Sequence, residues 1–271
     1  MAEGLIDSHD AVLFDLDGVL YAGPAAVPGA VEAVTALKER EIPCAFVTNN
    51  ASRSAETVAA HLSELGIPAR TGEVYGSAPA GVRLMAEHVP SGSRVLVTGS
   101  SYLRQLVEEA GFIPVSSAAE GPAAVIQGFD PQLGWEDLAQ ASYAVNDGAA
   151  WFATNLDLSI PRGEGIAPGN GALAQAITYA TGRRPAAAGK PEPVLFAQAA
   201  AGLSSSRPLV VGDRLDTDIL GGNRAGFTTA LVLTGIDSES SAAEAPAEQQ
   251  PVWLLETLAD LFSGGPRRAV R

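Results

Sequence analysis

Short apolar runs alternate with amphipathic stretches along almost the whole chain, and few architectures accommodate that rhythm. The strand-like runs are 11–15, 43–48, 94–98, 123–127, 151–154, 208–213 and 229–233. Between them lie segments of helical period, such as "PGAVEAVTALKERE" with Pro28 near its start and "SAETVAAHLSELG" with Gly66 at its stop. The stretches "WEDLAQASYAVNDG" and "GNGALAQAITYATG" continue the pattern. This βαβ rhythm predicts a doubly wound α/β fold, with parallel sheet covered by helices on both faces. A chain of 271 residues fits one large domain or two smaller ones. Segment 237–251, "DSESSAAEAPAEQQP", is polar and poor in bulky apolar residues, which predicts a flexible surface loop. The tail "GGPRRAVR" is expected to fray.

Charge narrows the partners. The chain carries 31 acidic against 17 basic residues, a net charge of -14, which argues against nucleic acid and anionic membranes as partners. An anionic substrate would need a locally positive site, from a metal or a few placed cations. A single cysteine, Cys44, excludes an internal disulfide and suits a reducing compartment. No apolar run approaches membrane-spanning length, and "MAEGLIDSHD" lacks the basic and apolar regions of a signal peptide. A cytoplasmic protein is expected, and a homodimer is compatible with these properties.

The first apolar run ends in Asp15-Leu16-Asp17-Gly18. A strand buried on both faces is nearly all apolar, so carboxylates belong just past its end. In open α/β sheets that is where ligands bind. Alone, "DLDG" reads equally well as a polar turn. "PLVVGDRLDTDILGG" repeats the logic with Asp213, Asp216 and Asp218, so five acidic residues gather at two strand ends. Uncompensated they would repel and resist desolvation, and a divalent cation would resolve this. An all-oxygen set suits Mg²⁺ better than zinc. Asp216 fits a solvated helix cap as well as it fits a metal. Two further strand ends add Thr48-Asn49-Asn50, able to hydrogen-bond an anionic oxygen, and Lys190 between Gly189 and Pro191, a point charge for phosphate or carboxylate.

The order "DLDGVLY", "VTNN", "GKPEP", "GDRLDTDI" resembles the haloacid dehalogenase superfamily of aspartyl phosphatases, and its four motifs span almost the whole chain. The spelling, with "VIQGFD", "FATNLD" and "PGNGAL", is similar to the NagD-like branch, which inserts a large C2-type cap between the second and third motifs. Residue usage and "NNASRSAETVAAHL" further resemble the mycobacterial type of glycerol 3-phosphate phosphatase. The resemblance implies a catalytic core at about 1–78 and 187–271, and a cap at about 79–186. It implies Asp15 as nucleophile and Asp17 as general acid, then base. Mg²⁺ would be held by Asp15, the Asp17 backbone carbonyl, Asp213 and Asp218, the last directly or through water. Thr48 and Asn49 would hold the transferring phosphoryl group, and Lys190 would balance its charge.

The substrate is expected to be a small phosphorylated metabolite, chosen by cap loops. In "FATNLDLSIPRGEG", Asn155 and Asp157 could bond hydroxyls and Arg162 could meet a second anionic group, or Asn155 and Asp157 merely cap a turn. These features suit glycerol 3-phosphate, 2-phosphoglycolate or a sugar phosphate. Alternatives are a phosphotransferase or mutase on the same scaffold, and a phospho-receiver signalling module. The receiver needs about half this chain and no Asp17 to release the phosphate. Gly169-Asn170-Gly171 with Ala174 matches a dinucleotide fingerprint, but no strand precedes it, so a helix N-terminus with glycine turns is expected. Cys44 reads as a core thiol, and His9, His61 and His88 lack metal-ligand spacing.

Overall fold

The first apolar run forms the strand Ala11–Phe14 in the interior of a seven-stranded sheet. The sheet order is Arg267–Arg268, Trp253–Leu255, Thr228–Val232, Pro208–Gly212, Ala11–Phe14, Cys44–Thr48, Val74–Gly76. Strands from Trp253–Leu255 to Cys44–Thr48 run parallel, and Arg267–Arg268 pairs antiparallel at the edge. Phe14 stands in register with Val211 on one side and Phe46 on the other. These relations come from a computed structural model, which describes residues 4–162, 164–263 and 266–269, the side chains of 161 and 162 excepted.

Alternate strand residues face opposite ways, so a strand covered on both faces is apolar throughout. Val12, Phe14, Phe46 and Val211 join Val34, Leu37 and Leu62 in one core cluster. Val34 and Leu37 come from the helix Ala30–Glu39, whose buried Ala30, Ala33, Val34 and Leu37 keep the spacing of one helical face. On the other face the helix Leu220–Arg224 lies so close that a Cβ on Gly222 would meet Val210 at 3.2 Å. The helix Ala55–Glu64 stops at Gly66, whose φ of 84° is the left-handed conformation that glycine adopts without strain.

Chain contacts divide the protein into two compact units, Met1–Thr48 with Ala55–Tyr75 and Lys190–Arg271, and Asn49–Ser54 with Gly76–Gly189. The second holds a five-stranded parallel sheet in the order Ala186–Ala187, Ala150–Ala153, Ala124–Gln127, Arg94–Thr98, Ile113–Val115. The helices Trp135–Asn146 and Asn170–Thr181 send Val145 and Ile177 into a core with Leu96, Val125 and Trp151. An antiparallel hairpin joins Ser159–Arg162 to Gly165–Pro168, so a strand does precede Gly169, contrary to the sequence expectation. It is a hairpin arm and not part of the parallel sheet that a dinucleotide fingerprint requires.

Two sequence expectations are corrected. Segment 237–251 is not an unstructured loop: it contains the helix Glu239–Glu244, capped by Ser238 Oγ accepting from Ser241 N at 3.2 Å. Small residues suffice there because a cap, rather than bulk, starts the helix, and Ala242 is buried. Of the tail 264–271, residues 264, 265, 270 and 271 lie outside the described residues; within the rest, Arg267–Arg268 is a paired edge strand, and the Arg267 guanidinium bonds Glu239. Cys44 is buried and free, and burial pushes its thiol up to about 11, so it is a core residue. No helix among the described residues is long and apolar enough to cross a membrane.

Candidate active site

Three adjacent parallel strands end at one edge of the first sheet. Ala11–Phe14 delivers Asp15, Cys44–Thr48 delivers Thr48, and Pro208–Gly212 delivers Asp213. After Asp213 the chain makes one wide turn, Leu215–Ile219, that carries Asp218, and the helix Leu220–Arg224 follows. Such π-type turns recur at functional sites because they re-aim a side chain.

Lys190 joins these pieces. Its Nζ forms a close ion pair with Asp15 Oδ1, bonds Asp218 Oδ1 at 2.7 Å, and points at the Val47 carbonyl at 3.4 Å. Lys190 is buried, as are Asp213 and Asp218. Asp218 Oδ2 accepts from Arg214 N at 3.2 Å. Asp213 Oδ2 accepts from Ile236 N at 2.9 Å, whereas its Oδ1 is buried with no hydrogen-bond partner among the described residues. One carboxylate oxygen from each of Asp15, Asp213 and Asp218 lies within 4.8 Å of the others.

The electrostatics follow from crowding. Burial, reinforced by the charges of Asp15 and Asp218, pushes Asp213 up to about 8. Burial pushes Asp218 up to about 6 against the pull of Lys190. Asp15 is raised for the same reason, with Lys190 again opposing. Burial alone would lower Lys190, but its two carboxylate partners overcome that and hold it charged. The buried Asp213 and Asp218 and the half-buried Asp15 thus crowd around one ammonium. An all-oxygen set, excess negative charge and an unpaired Asp213 Oδ1 are what a hard divalent cation such as Mg²⁺ fits.

Asp17 lies exposed just beyond Asp15, with Tyr21 Oη donating to its Oδ2 at 3.4 Å. Asp216 is also exposed and is paired with Arg214 at 2.8 Å, away from the buried carboxylates, in the solvated position its spacing allowed. The remaining candidates lie in the second unit. Asn49 Nδ2 donates to Asp157 Oδ1 at 2.9 Å, and Asn155 Nδ2 donates to the Asn49 carbonyl at 2.8 Å. Asn50 Oδ1 accepts from both the backbone N and the Oγ of Ser52 at 2.9 Å, closing a side-chain turn. Arg162 pairs by its backbone with Gly165 on the hairpin, and its side chain lies outside the described residues.

The sequence reading missed the loop after Thr228–Val232. Thr234 Oγ1 donates to the Gly18 carbonyl at 2.7 Å, and Ile236 N holds Asp213. The signal was present, because "TGID" follows an apolar run at a carboxyl end just as "DLDG" does. Ser77, which donates to the Asn49 carbonyl at 2.7 Å, carried no such signal.

Comparison with known proteins places this geometry. A family model described as haloacid dehalogenase-like hydrolase matches residues 12–113, and a second HAD-like hydrolase model matches 187–261. D-glycerol 3-phosphate phosphatase from Mycobacterium tuberculosis is 41% identical over 268 residues, 99% of this chain and 75% of that protein. The crystal structure of a glycerol phosphate phosphatase from M. tuberculosis in complex with magnesium superposes with a TM-score of 0.91 over 96% of this chain and 79% of that one, at 41% identity. NagD from E. coli K-12 superposes with a TM-score of 0.84 over 93% of this chain and 97% of that one, at 31% identity. The chain belongs to the haloacid dehalogenase-like hydrolases, and within them it is a phosphatase of the NagD-like branch.

Proposed function

We propose that the chain hydrolyses small phosphate monoesters through a phosphoryl group carried on Asp15. An Asp15 carboxylate oxygen attacks phosphorus, the ester P–O bond breaks, and the leaving alkoxide takes a proton from Asp17. Asp17 then removes a proton from water, which attacks the same phosphorus and returns Asp15 and inorganic phosphate. Thr48, Asn49 and Asn50 are the short polar groups for phosphoryl oxygens. Asp15, Asp213, the Asp17 carbonyl and Asp218 (directly or through water) would hold Mg²⁺, which would supply the positive charge that lets an anionic nucleophile approach an anionic ester. In this reading the unit bearing Asp15 is the catalytic core. The second unit is a C2-type cap that selects the leaving group.

The observation that supports it most is the Lys190 bridge. A buried ammonium held between Asp15 and Asp218 opposes the effect of burial on Asp15 and so favours the anion that a carboxylate nucleophile requires. A small hydroxylated ester such as glycerol 3-phosphate is the substrate best supported, given the mycobacterial relative. Replacing Asp15 by Asn keeps the shape and removes the attacking charge. Turnover of p-nitrophenyl phosphate should fall on the order of 10⁴-fold with the melting transition intact. A well-folded Asp15→Asn protein that keeps its activity would end this reading. Phosphate release from a panel of phosphorylated metabolites tests the substrate.

A further inference from the structure

We propose that Asp157 and Asn155 are positioning residues, which fix Asn49 for phosphoryl binding instead of meeting the leaving group. The inference rests on the phosphatase reading above. Asn49 directly follows Thr48, and its carbonyl and its carboxamide are both held within the second unit, to which it belongs. Its carbonyl accepts from Asn155 Nδ2 at 2.8 Å and Ser77 Oγ at 2.7 Å, which sets the plane of the following peptide. Its carboxamide Nδ2 donates to Asp157 Oδ1 at 2.9 Å. An ionised carboxylate only accepts hydrogen bonds, so Asp157 dictates which end of the carboxamide faces it. The other end, Oδ1, lies against Gly189, where a Cβ would come within 2.6 Å. Gly189 in turn donates from its N to the Thr154 carbonyl at 2.8 Å, one residue before Lys190.

Asp157 and Asn155 are themselves locked. Asp157 N donates to Asn155 Oδ1 at 3.2 Å, so both ends of the buried Asn155 amide are taken up by protein. The start of the helix Asn170–Thr181 holds the same loop from behind. Asn170 Nδ2 donates to the Asn155 carbonyl at 2.7 Å, and Gly171 N donates to the Asp157 carbonyl at 2.8 Å. A Cβ on Gly169 would meet the Asp157 carbonyl oxygen at 2.3 Å, and one on Gly171 the Leu156 carbonyl oxygen at 2.1 Å. The "GNG" that imitates a dinucleotide fingerprint is therefore glycine for close backbone approach to the loop that orients Asn49.

The test measures kcat and KM of the full chain on p-nitrophenyl phosphate and on glycerol 3-phosphate. Asp157→Ala should lower kcat about 100-fold on both esters alike, with KM little changed. Asp157→Asn keeps an acceptor oxygen and should restore much of that loss. The double variant Asn49→Ala/Asp157→Ala should be no worse than Asn49→Ala, because both remove one interaction. Ser77→Ala, which deletes one hydrogen bond to the same carbonyl, should cost about fivefold on both esters and decides the matter if Asp157→Ala fails to fold. Loss confined to glycerol 3-phosphate, additive losses in the double variant, or unchanged kcat in Ser77→Ala would overturn the proposal. Wild-type protein inactive on every phosphate ester would end the phosphatase reading and this one together. An active wild type with an unaffected Asp157→Ala would end this one alone.

Discussion

Asp213 shares its space with backbone on two sides: a Cβ at Gly235 would lie 2.0 Å from its Oδ2, and one at Gly18 would lie 2.3 Å away. No side chain fits at either place without moving the carboxylate. Gly18 also holds φ at 79°, a conformation that other residues adopt only with strain. Gly235→Ala should therefore displace Asp213 while leaving the two apolar cores alone. The Mg²⁺ concentration for half-maximal activity should rise about 10–100-fold, as for other residues that orient metal ligands. Gly72→Ala, where a Cβ meets nothing within 4 Å, should behave as wild type in the same titration. The carboxylates were legible in the sequence because charge just after an apolar run recurs at two strand ends, at Asp15 and at Asp213. Gly235 was not, because its role comes from an approach to Asp213 made 22 residues later in the chain, where a lone glycine reads as a turn.

Among the elements, the strands buried on both faces were the most legible. Arg94–Thr98 has the bounds its sequence predicts, and Ala11–Phe14 and Pro208–Gly212 each stop one residue before the carboxylate that closes the run. Their signal is strong because the residues inside each strand must be apolar. The two-residue strands Tyr21–Ala22 and Ala25–Ala26, and the hairpin at Ser159–Arg162, were not legible. They are short and are specified by pairing more than by burial. The helix Glu239–Glu244 was missed for a related reason: it contributes one buried alanine and depends on a serine cap. Asn155 and Asp157 were legible as polar residues at a strand end. Their hydrogen bonds to Asn49 were not, since that partner lies more than a hundred residues earlier.

For the molecule as a whole, a net charge of -14 makes the acidic cluster a cost that protons or a metal must relieve. The unfolded chain releases its carboxyl protons near ordinary pKa values, whereas folded Asp218 and Asp213 keep theirs up to about 6 and about 8. Between those limits the folded state binds more protons than the unfolded one, so metal-free stability should fall as pH rises from about 4 to about 8. Mg²⁺ competes with those protons, so it should raise the melting temperature more at pH 8 than at pH 5. At about a hundred times its Kd it adds about 2.7 kcal/mol. Melts at the two pH values with Mg²⁺ or chelator check this, and an equal increment at both would contradict it. The covalent step itself is tested most directly with Asp17→Asn and p-nitrophenyl phosphate, whose good leaving group needs no acid. The account predicts a burst of one equivalent of nitrophenolate, slow turnover after it, and the added mass of one phosphoryl group on the peptide containing Asp15. Steady release from the first turnover, with that peptide unmodified, would contradict it.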